Sequence, residues 1–250
     1  MGHSIYQVKL AMKSSNQLTR KQKWEGKNQD YKLSSSREAT FVLTVENALK
    51  LLKNKKSGRV LDIGCGLGEI DILLAKNTDF KIIGCDISEA AIKIAKENIK
   101  KAKLENRIQI EENDVYSLKY PDESFDIVLS FGYVSAATYH QVQKEVARVL
   151  KPGGILICDF INCLSLYKIF NTFGRILKKK APYYVSSAGI RREFKKAGLI
   201  LADQRLFNTY PPVSFGLNPK IFILFEKTVG LVFKNLLGRV RVVSFKKAKF

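Results

Sequence analysis

The chain is short of histidine, of acidic residues and of long apolar runs. Of its 250 residues only His3 and His140 are histidine, so His140 is the one imidazole away from the chain start that could serve as a base at neutral pH. No run of 18 apolar residues occurs and the first residues lack an apolar h-region. Neither a spanning helix nor a signal peptide is therefore expected. Met1-Gly2 is followed at position 6 by Tyr6, where N-myristoylation requires Ser or Thr. The four cysteines, Cys65, Cys85, Cys158 and Cys163, form no pair with metal-ligand spacing. They read as reduced core residues of a cytoplasmic protein, and no metal is expected. Asp and Glu number 23 against 43 Lys and Arg, a net charge of +20 that calls for an anionic partner or surface.

The charge is unevenly placed. Residues 60–159 hold 12 Lys and Arg against 16 Asp and Glu, which leaves 31 and 7 outside that span. The middle of the chain is mildly acidic and its flanks carry the basicity. Length and a 46% hydrophobic content fit a single domain with a full core.

What is present is a glycine loop. Val60, Leu61 and Ile63 make a short buried strand that runs into Gly64-Cys65-Gly66-Leu67-Gly68. Glycine allows positive φ and close backbone approach, so three at alternate positions before a helix (Glu69 to Lys76) predict a turn that touches a ligand. The spacing is G-x-G-x-G. It is neither the G-x-G-x-x-G of a dinucleotide site nor a P-loop, since no Gly-Lys-Ser/Thr follows. A second strand, Lys81 to Asp86, ends in a carboxylate 18 residues after Gly68, placed to accept both hydroxyls of a ribose. Asp62 and Glu69 suit a cationic ligand better than a pyrophosphate.

Further strands follow in order. Arg107 to Ile110 leads to Asn113-Asp114-Val115, and Phe125 to Ser130 is a fourth strand. Arg148-Val149-Leu150-Lys151-Pro152-Gly153-Gly154 reads as a helix end and a turn before a fifth strand. These five ordered motifs, over roughly residues 58–160, resemble class I S-adenosylmethionine-dependent methyltransferases, and most closely their broad metabolite branch. The resemblance implies a Rossmann-like three-layer α/β/α sandwich whose seven-stranded, mostly parallel sheet has an antiparallel seventh strand. It implies S-adenosylmethionine as cofactor, held by Asp62, Gly64, Cys65, Gly66, Gly68, Asp86, Ile87, Asp114, Val115 and Ser130. In the family pattern Ile87 covers the adenine and Asp114 accepts from its exocyclic amine. A plain turn carboxylate is the other reading of Asp114.

Ser130-Phe131-Gly132-Tyr133 should line the donor and acceptor sites. It is not the Asp/Asn-Pro-Pro-Tyr/Phe of enzymes that methylate exocyclic amines of bases. Tyr133 and His140 are the candidate catalytic groups, with Tyr139 beside them. A solvent-facing His140 at the start of the helix Gln141 to Leu150 is the plainer reading. Methyl transfer to a good nucleophile needs little beyond positioning, so the reaction does not demand a base.

The remaining segments decorate this core. Residues 1–36 form a basic arm carrying Trp24 and Tyr31, read either as a partly ordered terminus or as a lid over the cofactor. Ser36 is a candidate N-cap for a helix over 36–53, and Ser88 for one whose apolar face runs from Ala90 to Ile99. Two insertions, 161–198 and 211–238, fall where the family builds its acceptor cap. The first holds a basic amphipathic helix, Leu164 to Leu177, and a second helix from Ser186 or Ser187 to Lys196 stopped by Gly198. Strand six is predicted over Leu199 to Asn208 and strand seven over Arg239 to Phe245. Pro219 opens a strongly apolar helix running to Leu237, with Lys220, Lys227 and Lys234 along one narrow side. Core packing is the expectation for so apolar a helix. A pocket for a greasy acceptor and contact with an anionic bilayer are the alternatives.

The overall expectation is methyl transfer to an O or N atom of a small or lipid-linked metabolite, in the cytoplasm and at a membrane periphery if the insertions meet lipid. Two alternatives stand: an RNA methyltransferase binding phosphates through its basic flanks, and a non-catalytic binding module. Interleaved aliphatic faces in place of stacking aromatics make nucleic acid the weaker partner. Oligomeric state is not legible.

Overall fold

The computed structural model describes residues 35–53, 55–131, 139–161, 187–207, 218–230, 232–233 and 240–248. Trp24, Tyr31, Tyr133, Cys163 and the helix expected over 164–177 lie outside them. The elements are α1 (Ser35–Leu51), β1 (Arg59–Ile63), α2 (Glu69–Asn77), β2 (Lys81–Asp86), α3 (Glu89–Ala102), β3 (Ile108–Glu112), β4 (Phe125–Ser130), α4 (Tyr139–Val149), β5 (Leu150–Ile161), α5 (Ser187–Lys196), β6 (Leu199–Phe207), α6 (Pro219–Lys227) and β7 (Val240–Lys247).

Strands alternate with helices, which forces parallel pairing through crossovers. The seven strands lie in the order β3-β2-β1-β4-β5-β7-β6, parallel except for β7, which pairs antiparallel with both β5 and β6. Parallel strands covered on both faces are apolar along their whole length. Here Val60, Ile127, Leu129 and Ile157 face one layer with α1, α2, α3 and Phe222 of α6. Leu61, Ile63, Val128, Leu156 and Cys158 face the other with α4 and α5. The three-layer α/β/α expectation holds. The order of the strands reverses between β1 and β4, and in such sheets ligands bind outside the carboxyl ends at that switch point.

Local signals place the helices. Ser88 caps α3 by accepting from the Ala91 N–H at 3.2 Å, and Asn218 caps α6 by accepting from Lys220. Gly198, at φ 77°, ends the turn after α5. Three features differ from the sequence reading. The Pro-Gly-Gly segment is not a turn ahead of the fifth strand. β5 already pairs at Leu150↔Phe125, and the register to β4 shifts before Ile155↔Ile127, so the segment is a bulge inside the strand. The apolar helix from Pro219 does not run unbroken. Thr228 leaves helical geometry, its N–H and hydroxyl both bonded back to the Leu224 carbonyl. Nor is that helix core. Phe222 is buried, but Leu224, Ile221, Val232 and Phe233 are 48–74% exposed.

Gly84, in the middle of β2, is a packing glycine. A Cβ there would lie 2.5 Å from Ile110 Cδ1, 2.9 Å from Asp71 Oδ2 and 3.1 Å from Cys65 Cβ. Ile110 can swing its terminal methyl, but the loop and the carboxyl cannot both retreat. Gly84→Ala should therefore destabilise the fold by about 1–3 kcal/mol. Thermal unfolding would register this as a lower Tm, by roughly 2–4 °C for each kcal/mol in a chain of this size.

Candidate active site

The site is assembled from backbone first. As β1 ends, the chain reverses through Gly64, Gly66 and Gly68, all left-handed at φ 75°, 56° and 76°. The N–H groups of Gly64 and Cys65 both donate to the Cys85 carbonyl, at 2.8 and 3.1 Å, strapping the loop to the tip of β2. The Gly66 N–H then donates to Asp86 Oδ2 at 3.1 Å, and the Ser88 N–H to Asp86 Oδ1 at 2.9 Å. Asp86 is thus fixed between the loop and the start of α3. A Cβ on Gly66 would meet nothing within 4 Å, so this peptide borders open space. Gly68, in contrast, lies where a Cβ would touch Ala95 of α3, so it serves helix packing as well.

The Asp86 carbonyl accepts from the Asn113 N–H at 3.0 Å. That bond brings the segment after β3 beside the tip of β2. There Asp114 Oδ1 accepts from the Tyr116 N–H at 3.1 Å and its carbonyl from Ser117 at 2.8 Å, an Asx turn. The turn-carboxylate reading of Asp114 is therefore part of its role. Asp114 is buried, Ile87 half-buried, and Val115 packs in the cluster with Leu61, Ile63 and Cys85. Ser130 is fully buried at the end of β4, and its hydroxyl has no partner among the described residues. His140 lies in the first turn of α4; its side chain and all of Tyr133 are outside the described residues.

The electrostatics are acidic. Asp62 is 3% exposed, and burial first, then the neighbouring Asp86 and Asp159 carboxylates, push its carboxyl up to about 7 against the opposing influence of the Asp71 carboxyl. Asp71, fully buried on α2, is held well above the carboxylate range by the same burial and by Asp62. Sequence reasoning passed over Asp71. Burial also raises the thiols of Cys65, Cys85 and Cys158 well above the ordinary range, which keeps them neutral core groups as expected. No cluster of metal-binding side chains occurs among the described residues.

These groups fit S-adenosylmethionine on their own chemistry. Its ribose diol suits a carboxylate held at a strand tip, and its ammonium and sulfonium suit a pocket whose buried oxygens on Asp62 and Asp71 lack donors. A glycine peptide bordering open space admits such a ligand closely.

Known proteins agree. A family model described as a methyltransferase domain matches residues 54–204, more than half of the chain. A demethylmenaquinone methyltransferase of Listeria welshimeri is 36% identical over 136 residues, which covers 52% of this chain and 57% of that protein. A 27-O-demethylrifamycin SV methyltransferase of Amycolatopsis mediterranei is 37% identical over 130 residues, or 50% and 46% of the two chains. The chain thus spans about half the length of these curated relatives. Among solved structures, a phosphoethanolamine N-methyltransferase 2 of Haemonchus contortus, bound to phosphomonomethylethanolamine and S-adenosylhomocysteine, superposes with a TM-score of 0.58. That match has 19% identity and covers 83% of this chain and 53% of that one. The chain belongs to the class I S-adenosylmethionine-dependent methyltransferase family, and S-adenosylmethionine is its cofactor.

Proposed function

We propose that this protein transfers a methyl group from S-adenosylmethionine to an oxygen or nitrogen of a small or lipid-linked acceptor. The observation that carries the reading is the Asp86 carboxylate fixed by the Gly66 and Ser88 N–H groups at the switch point of the sheet. Asp86 would hold the ribose, and the buried acid Asp62 would face the cationic amino-acid end. When bound, the cofactor supplies an electrophilic methyl carried on a sulfonium. The protein's share is then to orient that methyl toward the acceptor, keep water out and neutralise charge, because a good nucleophile needs little more. Ser130 is buried at the end of β4 and would stand where donor and acceptor meet.

The acceptor class rests on two supports. Relatives named for demethylmenaquinone and for 27-O-demethylrifamycin SV support a small-molecule or lipid-linked acceptor. In addition, α6 and the residues after it present Ile221, Leu224, Val232 and Phe233 to solvent, flanked by the exposed Lys220 and Lys227. An apolar face edged with lysine suits the surface of an anionic bilayer, where a lipid-linked acceptor would be met. Aliphatic side chains give no platform for stacking bases, which favours lipid over RNA.

Two measurements test this. Titration calorimetry should show micromolar binding of S-adenosylmethionine, weakened about 100-fold or more in Asp86→Asn, since two charge-assisted ribose contacts are lost. Absence of binding by the wild type would sink the reading. In co-sedimentation, the protein should partition onto phosphatidylglycerol vesicles and not onto phosphatidylcholine vesicles. The exposed pair Leu224→Glu and Val232→Glu should release it without lowering Tm. Equal binding to both lipids, or an unaffected double variant, would remove the membrane element.

A further inference from the structure

The carboxyl of Asp71 has no explanation in the fold. It stands third in α2 after the N-cap Gly68, where an acid ordinarily reaches back to the cap N–H. That N–H donates to the Cys65 carbonyl instead, and Gly68 receives no side-chain cap. Asp71 is 0% exposed, and neither of its oxygens meets a donor among the described residues; Asp62 Oδ1 shares that condition. β2 makes room for it with Gly84, whose missing Cβ would sit 2.9 Å from Asp71 Oδ2. Asp62 pairs with Gly84 across β1 and β2, on the sheet face that α2 covers, so the Asp62 and Asp71 carboxyls are neighbours. Two ionised carboxylates cannot donate to each other, so a hydrogen bond between them forms only when one of them carries a proton.

We propose that Asp71 is a positioning residue for the cofactor: it shares one proton with Asp62, and the cofactor's ammonium takes the place of that proton when it binds. The inference rests on the cofactor reading above. The proton leaves the pair for solvent, and no covalent bond is made or broken. Before binding, one charge is spread over two buried carboxyls, a smaller cost than two bare anions. With the ammonium in place the second charge is compensated. The other titratable groups facing the pair are Glu69 at the start of α2, Asp86 on β2, Asp159 on β5 and the Cys65 and Cys85 thiols. The carboxylates raise the pair's proton affinity, and the thiols stay neutral, so the pocket's complement is a cation.

Burial and the neighbouring carboxyl hold Asp71 well above the carboxylate range, and Asp62 is raised to about 7. Wherever the free pair holds its proton the cofactor must expel it, so affinity should climb with pH, by at most about tenfold per unit for each proton released, and level off once the pair is bare.

The experiment is calorimetric titration of the full chain with S-adenosylmethionine from pH 6 to 8.5, in paired buffers of different ionisation enthalpy. The wild type should release protons from the pair on binding, fewer as the pH rises. Asp71→Asn, whose amide donates to the Asp62 carboxylate, should still bind but release no proton, with a nearly flat pH profile. Its Tm should gain on the wild type at pH 8 relative to pH 5. A raised folded pKa favours folding below the unfolded value, and that contribution is lost as pH rises through the raised folded value. Cofactor binding without proton exchange, or an Asp71→Asn protein with the wild-type proton count, would overturn the inference alone. A wild type that binds no cofactor at any pH overturns the cofactor reading and this one with it. The wild-type measurement stands even if the variant fails to fold.

Discussion

Two peptide N–H groups donated to one carboxylate hold the site together. Gly66 and Ser88 belong to different crossovers, one leaving β1 and one leaving β2, and Asp86 is where they meet. The geometry depends on parallel pairing between β1 and β2 in the register Ile63↔Cys85, which sets the loop above the next strand's tip. The loop's first two N–H groups then find the Cys85 carbonyl, and only left-handed backbone at three glycines completes the path. Ligand contact and loop conformation are thus one hydrogen-bonded unit. Anything that shifts β2 moves both.

Beneath that unit the protein buries more acid than packing requires. Asp62 and Asp71 replace what could have been apolar contacts between α2 and the sheet, and a buried charge is costly unless it is paired. Among the described residues no lysine or arginine bonds to either acid, and a cationic ligand would supply the missing charge. The tight fit of Asp71 against Gly84 shows how closely the sheet is shaped around it.

Most of the core was legible because its signals are local. Glycine-punctuated apolar runs such as Val60 to Ile63 and Phe125 to Ser130 mark buried parallel strands, and Ser88 marks a helix start through its own hydroxyl. What failed to show depended on partners distant in sequence. Whether Pro152-Gly153-Gly154 is a turn or a bulge is decided by which β4 residues it opposes, and no local rule contains that register. Asp71 holds the place of an ordinary helix-start acid, which the macrodipole explains without a partner, so its position in the helix does not set it apart. The available hint was its place amid Ile70, Ile72, Leu73 and Leu74, where a carboxylate interrupts an apolar stretch nine residues after another acid. The apolar composition of α6 implied burial, yet composition does not say whether a neighbouring element covers the face. Phe222 found the core and Leu224 did not.

The placement of β7 has a consequence for how the chain is made. It is the last strand in sequence, yet it lies between β5 and β6, pairing along Ile155↔Lys246 to Ile161↔Val240 on one side and Leu199↔Lys247 to Phe207↔Val240 on the other. Its Lys247 also reaches back to the Leu150 carbonyl at 2.6 Å, at the root of the bulge. As the chain emerges from the ribosome, the five parallel strands on the cofactor side can assemble while β6 has no neighbour to join. Two sheet edges therefore stay open until residues 240–247 appear, and open edges invite wrong pairing. The half of the sheet from β3 to β5 is the part that can form early; the half built on β6 waits for β7.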